Sequence, residues 1–445
     1  MSALDDAVVG GKPISEWTIE DHNKALNELG AHIYEPLDGV LVLGAGSKPW
    51  MLKVRMVTED GGEQVTEVVD ALACYSAVPF GHRDKIMVEG VQAFIGKMAT
   101  IPRSISHEYL GPWLVALQEY TGMDMFLPKS SGTEAVEAAI KAVRKWGRRY
   151  GGKDGTGIRD ENPIIISAEK SFHGRGFGST SLMTDRLSRK DVGPLIPGIE
   201  HVPFNDLAAF EARMKEHDGA VAGAILEPIQ AEAGIFVPDK EYLKGVQKVL
   251  KANNALLVLD EIQTGYGRTG ADFAWQAFGL DMPDLMTIGK AMSAGFLPIS
   301  CLCGKKEIME LFEPHSEGST FGGYPLAAYV GMLTISELRR RKMTERAATS
   351  GEYLRGKLDE VARKHTDKIL QVRGKGLLIG IEVRPGYNGH ELSMAMLRNG
   401  VYAKETHKTN LRIAPPIVID EDGMDAIAAA LDRSLADLTR SGSSG

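Results

Sequence analysis

The chain has 445 residues, is 43% hydrophobic and 25% charged, and carries a formal net charge of −8 from 51 basic and 59 acidic side chains. This is a globular composition, long enough for two or three domains, and it argues against nucleic acid as the main partner. No apolar stretch approaches membrane-spanning length, and the acidic start MSALDDAVVGGK lacks a basic-then-apolar leader pattern, so a cytoplasmic protein without a membrane partner is expected.

Taken in chain order, the stretch 130–150, SSGTEAVEAAIKAVRKWGRRY, predicts a strong helix, with Val136, Ile140, Val143 and Trp146 at helical spacing and Ser130, Ser131, Gly132 and Thr133 at its start. From about 160 to 305 short apolar runs alternate with helical segments. The runs 162–170, 220–229, 255–263, 284–291 and 297–304 are continuous rather than alternating, as in strands buried on both faces. Helices at 206–217 and 241–253 separate them, which is βαβ logic and predicts an α/β fold around a mostly parallel sheet. Ligands bind such sheets beyond the carboxyl ends of their strands. After about 320 helices alternate with LLIGIEV and LRIAPPIVI, which predicts a second, smaller α/β domain. The expected division is residues 1–70 packing with the small domain, 71–318 as the large domain, 319–440 as the small domain, and 441–445 (SGSSG) as a flexible tail. The three cysteines, Cys74, Cys301 and Cys303, are too few for a disulfide framework, and the last two read as core residues of one strand.

Candidate chemistry starts at Lys290. In DLMTIGKAMSAG an apolar strand runs straight into a lysine, a residue that rarely ends a buried strand unless paired or functional. Such a lysine loses its proton readily and forms Schiff bases with aldehydes, although taken alone a snorkelling surface lysine is the commoner case. The run Ala255–Leu259 ends in Asp260 and Glu261, thirty residues earlier. A carboxylate there suits a protonated heterocyclic nitrogen; a lysine and an acid together are what pyridoxal phosphate (PLP) requires. Ser131, Gly132 and Thr133 at a helix start suit a phosphate, or serve only as a good N-cap. Phe172, after the first strand of the block, suits stacking on a ring or simply the core. The segment GRGFG does not match a dinucleotide fingerprint, and His82, His173 and His201 have no metal-ligand spacing, so no metal is expected.

The motif DEIQTGYGRTG, then IGK about thirty residues on, then GSTFGG, resembles class III PLP-dependent aminotransferases of fold type I, from about Tyr34 to Pro416. Within that class YSAVPFGH, RKWGRRY, GPLIPGIEHVPFNDLAAFE, EPIQAEAGIFVPDKEYL, VRGKGLL and LRIAPPIVI are most similar to ornithine aminotransferases. The resemblance implies PLP as cofactor and a role for each matching residue. Lys290 would hold the aldehyde and shuttle a proton, Asp260 would pair with the pyridinium nitrogen, and Gln263 would hydrogen-bond the phenolic oxygen. Phe172 would stack on the ring, Gly132 and Thr133 would bind phosphate, and Glu227 would support the region of Asp260. Thr320 would reach the phosphate of a neighbouring subunit, which implies a homodimer or larger homo-oligomer. Arg412 would bind a substrate carboxylate, with Glu232 pairing with it and gating it; Arg175, Tyr75 and Tyr34 match substrate-pocket positions. The expected reaction is transfer of an amino group from an ornithine-like or other basic or ω-amino acid to 2-oxoglutarate by a ping-pong mechanism.

Departures from the pattern fall near the substrate. Residues 47–70 are longer and more charged than the usual short hairpin, and Pro79 and Phe80 stand where polar residues are common. Glu317 replaces a histidine, Tyr324 an asparagine and Ala231 a glycine. These keep open a second outcome on the same scaffold: epimerisation, elimination or carbon–carbon bond formation on a larger amino acid.

Overall fold

Five runs of branched apolar residues, too uniformly greasy to face water on either side, make the centre of the protein. The structure, a computed structural model, describes residues 7–33, 37, 39–58, 60–158 and 162–440. Helix α1 (Ile19–Leu29) leads to an antiparallel meander of β1 (Val40–Ala45), β2 (Met51–Val57) and β3 (Glu63–Asp70). Helices α2 (Lys85–Ile95) and α3 (Leu110–Thr121) follow, then β4 (Met125–Lys129) and the long α4 (Gly132–Tyr150). The central block continues through β5 (Ile164–Ala168), β6 (Ile199–Val202), α5 (Leu207–Glu216), β7 (Val221–Leu226), α6 (Lys240–Ala252), β8 (Leu256–Asp260), β9 (Leu285–Ile288) and β10 (Ser300–Gly304). Next come α7 (Pro325–Arg340), α8 (Met343–Lys364), β11 (Ile369–Lys375), β12 (Leu378–Val383), α9 (Gly389–Arg398), β13 (Val401–Tyr402), β14 (Lys404–Thr406), β15 (Asn410–Ile413) and α10 (Glu421–Asp437).

The large sheet has the order β4-β10-β9-β8-β7-β5-β6. It is parallel from β9 to β6, and β10 runs antiparallel to both its neighbours, β9 and β4. The expected strands are real but end earlier than their apolar runs: the run 255–263 is strand only over Leu256–Asp260 and 284–291 only over Leu285–Ile288. Beyond these points the backbone turns, and the residues past the turn carry the site. Two strands escaped the sequence reading. Met125–Lys129 contains Pro128, which removes a ladder donor, but β4 lies at the sheet edge where proline is tolerated. Ile199–Val202 is short and also at an edge. Cys301 and Cys303 are buried on β10, and Cys74 is exposed.

Helix α4 covers one face of this sheet. Val136, Ile140 and Val143 meet Ile165, Ile225 and Val258 there, while α5 and α6 cover the other face through Phe210, Val246 and Leu250. Burying such a side chain stabilises by roughly 1.5–3 kcal/mol, so the sheet is fixed on both sides. A second sheet, β11-β12-β15-β14, lies in the C-terminal part, and β13 pairs in parallel with β3, joining residues 401–402 to 69–70. The charged 47–70 segment is therefore β2 and β3, one strand bound to the C-terminal chain. Among the described residues no helix is long and apolar enough to cross a membrane.

Candidate active site

A cavity of about 210 Å³ opens beyond the carboxyl ends of β5, β7, β8 and β9. It is lined by Gly132, Thr133, Phe172, His173, Arg175, Glu227, Asp260, Gln263 and Lys290, among others. Eight residues picked out from the sequence thus meet in one place, brought there by strand ends and by the start of α4.

Asp260 is the last residue of β8 and is 6% exposed. Parallel register sets Asp260 beside Thr287 of β9, whose hydroxyl donates to Asp260 Oδ1 at 3.0 Å. The Ile262 N–H donates to the same oxygen at 3.2 Å, and His173 Nδ1 lies 2.8 Å from Oδ2 as its donor. Burial alone would push the His173 imidazole down, but the hydrogen bond and charge of Asp260, with Glu227 behind, outweigh it and raise its pKa. His173, like Thr287, escaped the sequence reading as a site residue. Its signal was its place next to Phe172 at a strand's end; its partner lies 87 positions away. The neighbouring Glu261 has a structural task. It accepts from Ala274 N–H at 3.0 Å, Trp275 N–H at 2.9 Å and the Thr264 hydroxyl, and burial raises it to about 7.

Lys290 follows β9 with φ +44°, a left-handed backbone that turns its side chain back into the cavity. Its Nζ donates to Gln263 Oε1 at 2.8 Å. Burial lowers its pKa and outweighs the opposite pull of Glu232, Asp260 and Glu227. A lysine so placed reaches its neutral, nucleophilic form more easily than a surface lysine.

At the start of α4, Ser131 and Glu134 form a reciprocal capping box. Ser131 Oγ accepts from Glu134 N–H at 3.2 Å, and Glu134 Oε2 accepts from the N–H groups of Ser131 at 3.2 Å and Ser130 at 2.6 Å. The next backbone donors, at Gly132 and Thr133, belong to a helix's unladdered first turn and face the cavity. The GRGFG loop lies flat on this turn. Gly174 has φ +117° and a Cβ there would sit 2.3 Å from Thr133 Oγ1; a Cβ on Gly178 would sit 2.3 Å from Glu137 Oε2. Those glycines are spacing for loop-on-helix packing. Arg175 N–H donates to Thr133 Oγ1 at 3.3 Å, while its guanidinium lies 5.2 Å from the Phe172 ring centre and donates to Ser188.

Glu227 is buried; it accepts from Phe172 N–H at 2.9 Å and Ala231 N–H at 3.1 Å, and burial raises it to about 7. It thereby fixes the backbone under Phe172. At the mouth, Arg412 Nη1 and Glu232 Oε2 are 2.5 Å apart, with the guanidinium 4.9 Å from the Tyr75 ring centre. Tyr75 stands in a turn of four consecutive non-glycine residues, Ala73 to Ser76, all with positive φ. Glu232, Phe172 and Arg175 also line a second, adjoining hollow of about 630 Å³. Thr320 is outside both cavities and exposed. Tyr34 lies outside the described residues. Among the departures, Phe80 is buried under the Arg341 guanidinium, Ala231 is fully buried, and Tyr324 caps α7 edge-on to Phe321.

The sequence profile described as Aminotransferase class-III matches residues 53–435. The chain belongs to the class III aminotransferase family. It is similar to an ornithine aminotransferase of Oceanobacillus iheyensis, 37% identical over 399 residues, covering 90% of this chain and 94% of the relative. One from Bacillus cereus strain Q1 is 39% identical over 398 residues, covering 89% and 94%. Among solved structures, the ornithine aminotransferase of Toxoplasma gondii ME49 superposes with a TM-score of 0.85 at 29% identity, covering 94% of this chain and 95% of the other. The acetylornithine aminotransferase of Elizabethkingia anophelis gives 0.79 at 32% identity, covering 94% and 99%.

Class III aminotransferases use PLP, and this protein is a PLP-dependent aminotransferase. The cavity fits that group. It offers a buried acid with acceptor capacity left after three donors, an amine of lowered pKa, a flat aromatic face and a helix start for a dianion.

Proposed function

We propose that this aminotransferase moves the amino group of an ornithine-like, basic or ω-amino acid to 2-oxoglutarate in two half-reactions of a ping-pong cycle. The observation that carries this reading is the Glu232–Arg412 pair beside Lys290. With its charge met by Glu232, Arg412 leaves the mouth open to a donor that carries a cationic chain. Released from Glu232, the same guanidinium offers a planar, two-pronged site for the second carboxylate of a dicarboxylic acceptor. One arginine thus serves two substrates of unlike charge in turn. The relatives' names favour ornithine over the non-transaminating alternative.

PLP, when bound, supplies an aldehyde for the amine and a ring that accepts the electrons of a broken bond at the substrate carbon. Lys290 would hold the aldehyde and supply a base that moves a proton. Asp260, set by His173 and Thr287, would keep the ring nitrogen protonated. Gln263 would hydrogen-bond the phenolic oxygen, Phe172 would stack on the ring over the backbone that Glu227 fixes, and Gly132 and Thr133 would hold the phosphate. Arg175, Tyr75 and Tyr34 contact substrate. Thr320, exposed on its own subunit, reaches the phosphate of a second copy, so the working unit is a homodimer.

Titration of the holoenzyme with L-ornithine, without acceptor, tests this. The yellow absorption band should bleach, and mass spectrometry should find the oxo acid or its cyclised imine. A band that ornithine leaves unchanged would reject ornithine as donor and direct the search to larger amino acids. Glu232→Gln should raise KM for ornithine about tenfold or more while leaving 2-oxoglutarate binding intact or tighter, since Arg412 then has no carboxylate to neutralise it.

A further inference from the structure

Strand β4 ends at Lys129, two residues before the cap of α4. The Lys129 side chain is only 3% exposed, and an ammonium that deep requires a partner. The partner arrives from 188 positions further on. Glu317 Oε1 accepts from Lys129 Nζ at 2.6 Å, and Glu317 Oε2 accepts from Lys141 Nζ of α4 at 2.6 Å. Lys129 Nζ also donates to Gly318 O at 2.9 Å, Gly318 N–H donates back to Glu317 Oε1 at 3.1 Å, and the Ser130 and Ser319 hydroxyls lie 3.2 Å apart. Burial alone would raise the Glu317 carboxyl; the hydrogen bonds from Lys129 and Lys141 outweigh it and hold it at about 2, so the carboxylate stays charged at neutral pH.

The far end of the same segment is tied as firmly. Arg103 Nη1 donates to Gly322 O at 2.5 Å, His107 Nε2 lies 2.9 Å from Gly323 O, and Gly322 runs so close to β4 that a Cβ there would be 2.4 Å from Pro128 O. Between the two anchors Thr320 and Phe321 are exposed. A buried ion pair is a poor source of net stability, because desolvation offsets most of the attraction. Here three charges fix a short segment whose centre touches solvent. A histidine at 317, which the family pattern leads one to expect, could not accept from two ammonium groups at once.

We propose that Lys129, Glu317 and Lys141 form a latch of positioning residues that holds Thr320 at the height of the phosphate in a second subunit. This rests on the reading of Thr320 given above. Because Lys129 directly precedes the turn that receives the chain's own phosphate, the latch ties the two cofactor sites of a dimer to one charge cluster, built on the buried Lys129–Glu317 pair. Its output is retention of the phosphate-bearing cofactor.

The test is the rate at which holoenzyme loses its visible absorption after dilution into buffer without PLP, with the dimer followed by sedimentation. Glu317→Gln and Thr320→Ala should each speed the loss on the order of tenfold, as expected for removing one charge-assisted contact. The double variant should be no faster than Thr320→Ala, because both act on one contact. The apolar pair Lys129→Met with Glu317→Met separates folding from positioning: it should melt like the parent as apoprotein yet lose cofactor as fast as Glu317→Gln. Parental retention in Glu317→Gln or in the apolar pair, or additive effects in the double variant, would overturn the latch. Parental retention in Thr320→Ala with fast loss in Glu317→Gln would instead refute the contact assigned to Thr320, and with it the route across the subunit boundary.

Discussion

Asp260 illustrates how much one side chain depends on neighbours that sequence spacing does not reveal. Its two oxygens take donors from His173, Thr287 and the Ile262 backbone, so it enters the cavity as an oriented anion. Asp260→Asn keeps the shape and removes the charge. Steady-state turnover should fall about 10²- to 10³-fold, as when other preorganised charge contacts are removed, with the cofactor still bound. Turnover near that of the parent would make Asp260 a purely structural residue. The second carboxyl, Glu261, gives a pH signature instead. Raised to about 7 by burial, it holds a proton in the folded chain that an unfolded glutamate, near 4.3, has released. The folded state binds more protons across that window, so this group's contribution to stability falls as pH rises from about 4.3 to about 7. Urea midpoints at pH 5 and pH 7 should differ less in Glu261→Gln than in the parent, even though the variant loses acceptors and is less stable at both. An unchanged difference would remove Glu261 from the pH response.

At the scale of elements, the cavity-lining turn at the start of α4 depends on a cap and a close approach. Ser131→Ala removes the acceptor of Glu134 N–H and should cost about 1 kcal/mol in a urea titration of the holoenzyme, with weaker PLP affinity. Gly174→Ala meets both a left-handed backbone and the Thr133 hydroxyl, so it should displace the loop carrying Phe172 and Arg175 and impair activity more than stability. Activity matching the parent would show that the loop adjusts freely. What could be read in the sequence at this scale follows from geometry. Lys290 and Asp260 stood out because apolar runs broke off on charges, and α4 stood out through its helical spacing. His173 did not, because its meaning lies in a partner on another strand. Thr287 did not, because only the β8–β9 register sets it beside Asp260. The strand β4 was hidden by Pro128, and Glu317 registered only as a departure from a pattern, since Lys129 is 188 positions distant. The GRGFG loop, read only as not a dinucleotide motif, is explained by the Glu137 and Thr133 side chains it lies against.

At the scale of the whole molecule, the same motif that supplies Asp260 also fastens the C-terminal chain. Buried Arg268 donates to Leu377 O at 3.1 Å and Pro415 O at 2.5 Å, and Leu377 N–H donates back to Arg268 O at 3.1 Å. Ala414 N–H reaches Ala71 O at 2.7 Å and Ile417 N–H reaches Pro79 O at 2.8 Å, which keeps Arg412 beside Tyr75. Arg268→Met should destabilise by about 3 kcal/mol or more, because two buried carbonyls lose a charged donor. It should also raise KM for both substrates, the second effect separating a positioned mouth from a merely stable one. The sheet order carries a consequence for how the enzyme is made. Among the described residues, edge strand β4 finds its only ladder partner in β10, with Lys129 opposite Ser300, across some 170 residues of intervening chain. A ribosome that has synthesised α4 has therefore made a helix start whose supporting strand does not yet exist. The cofactor pocket closes late in translation, and until β10 emerges the nascent chain carries an unpaired strand edge, the stage at which a chaperone is most needed.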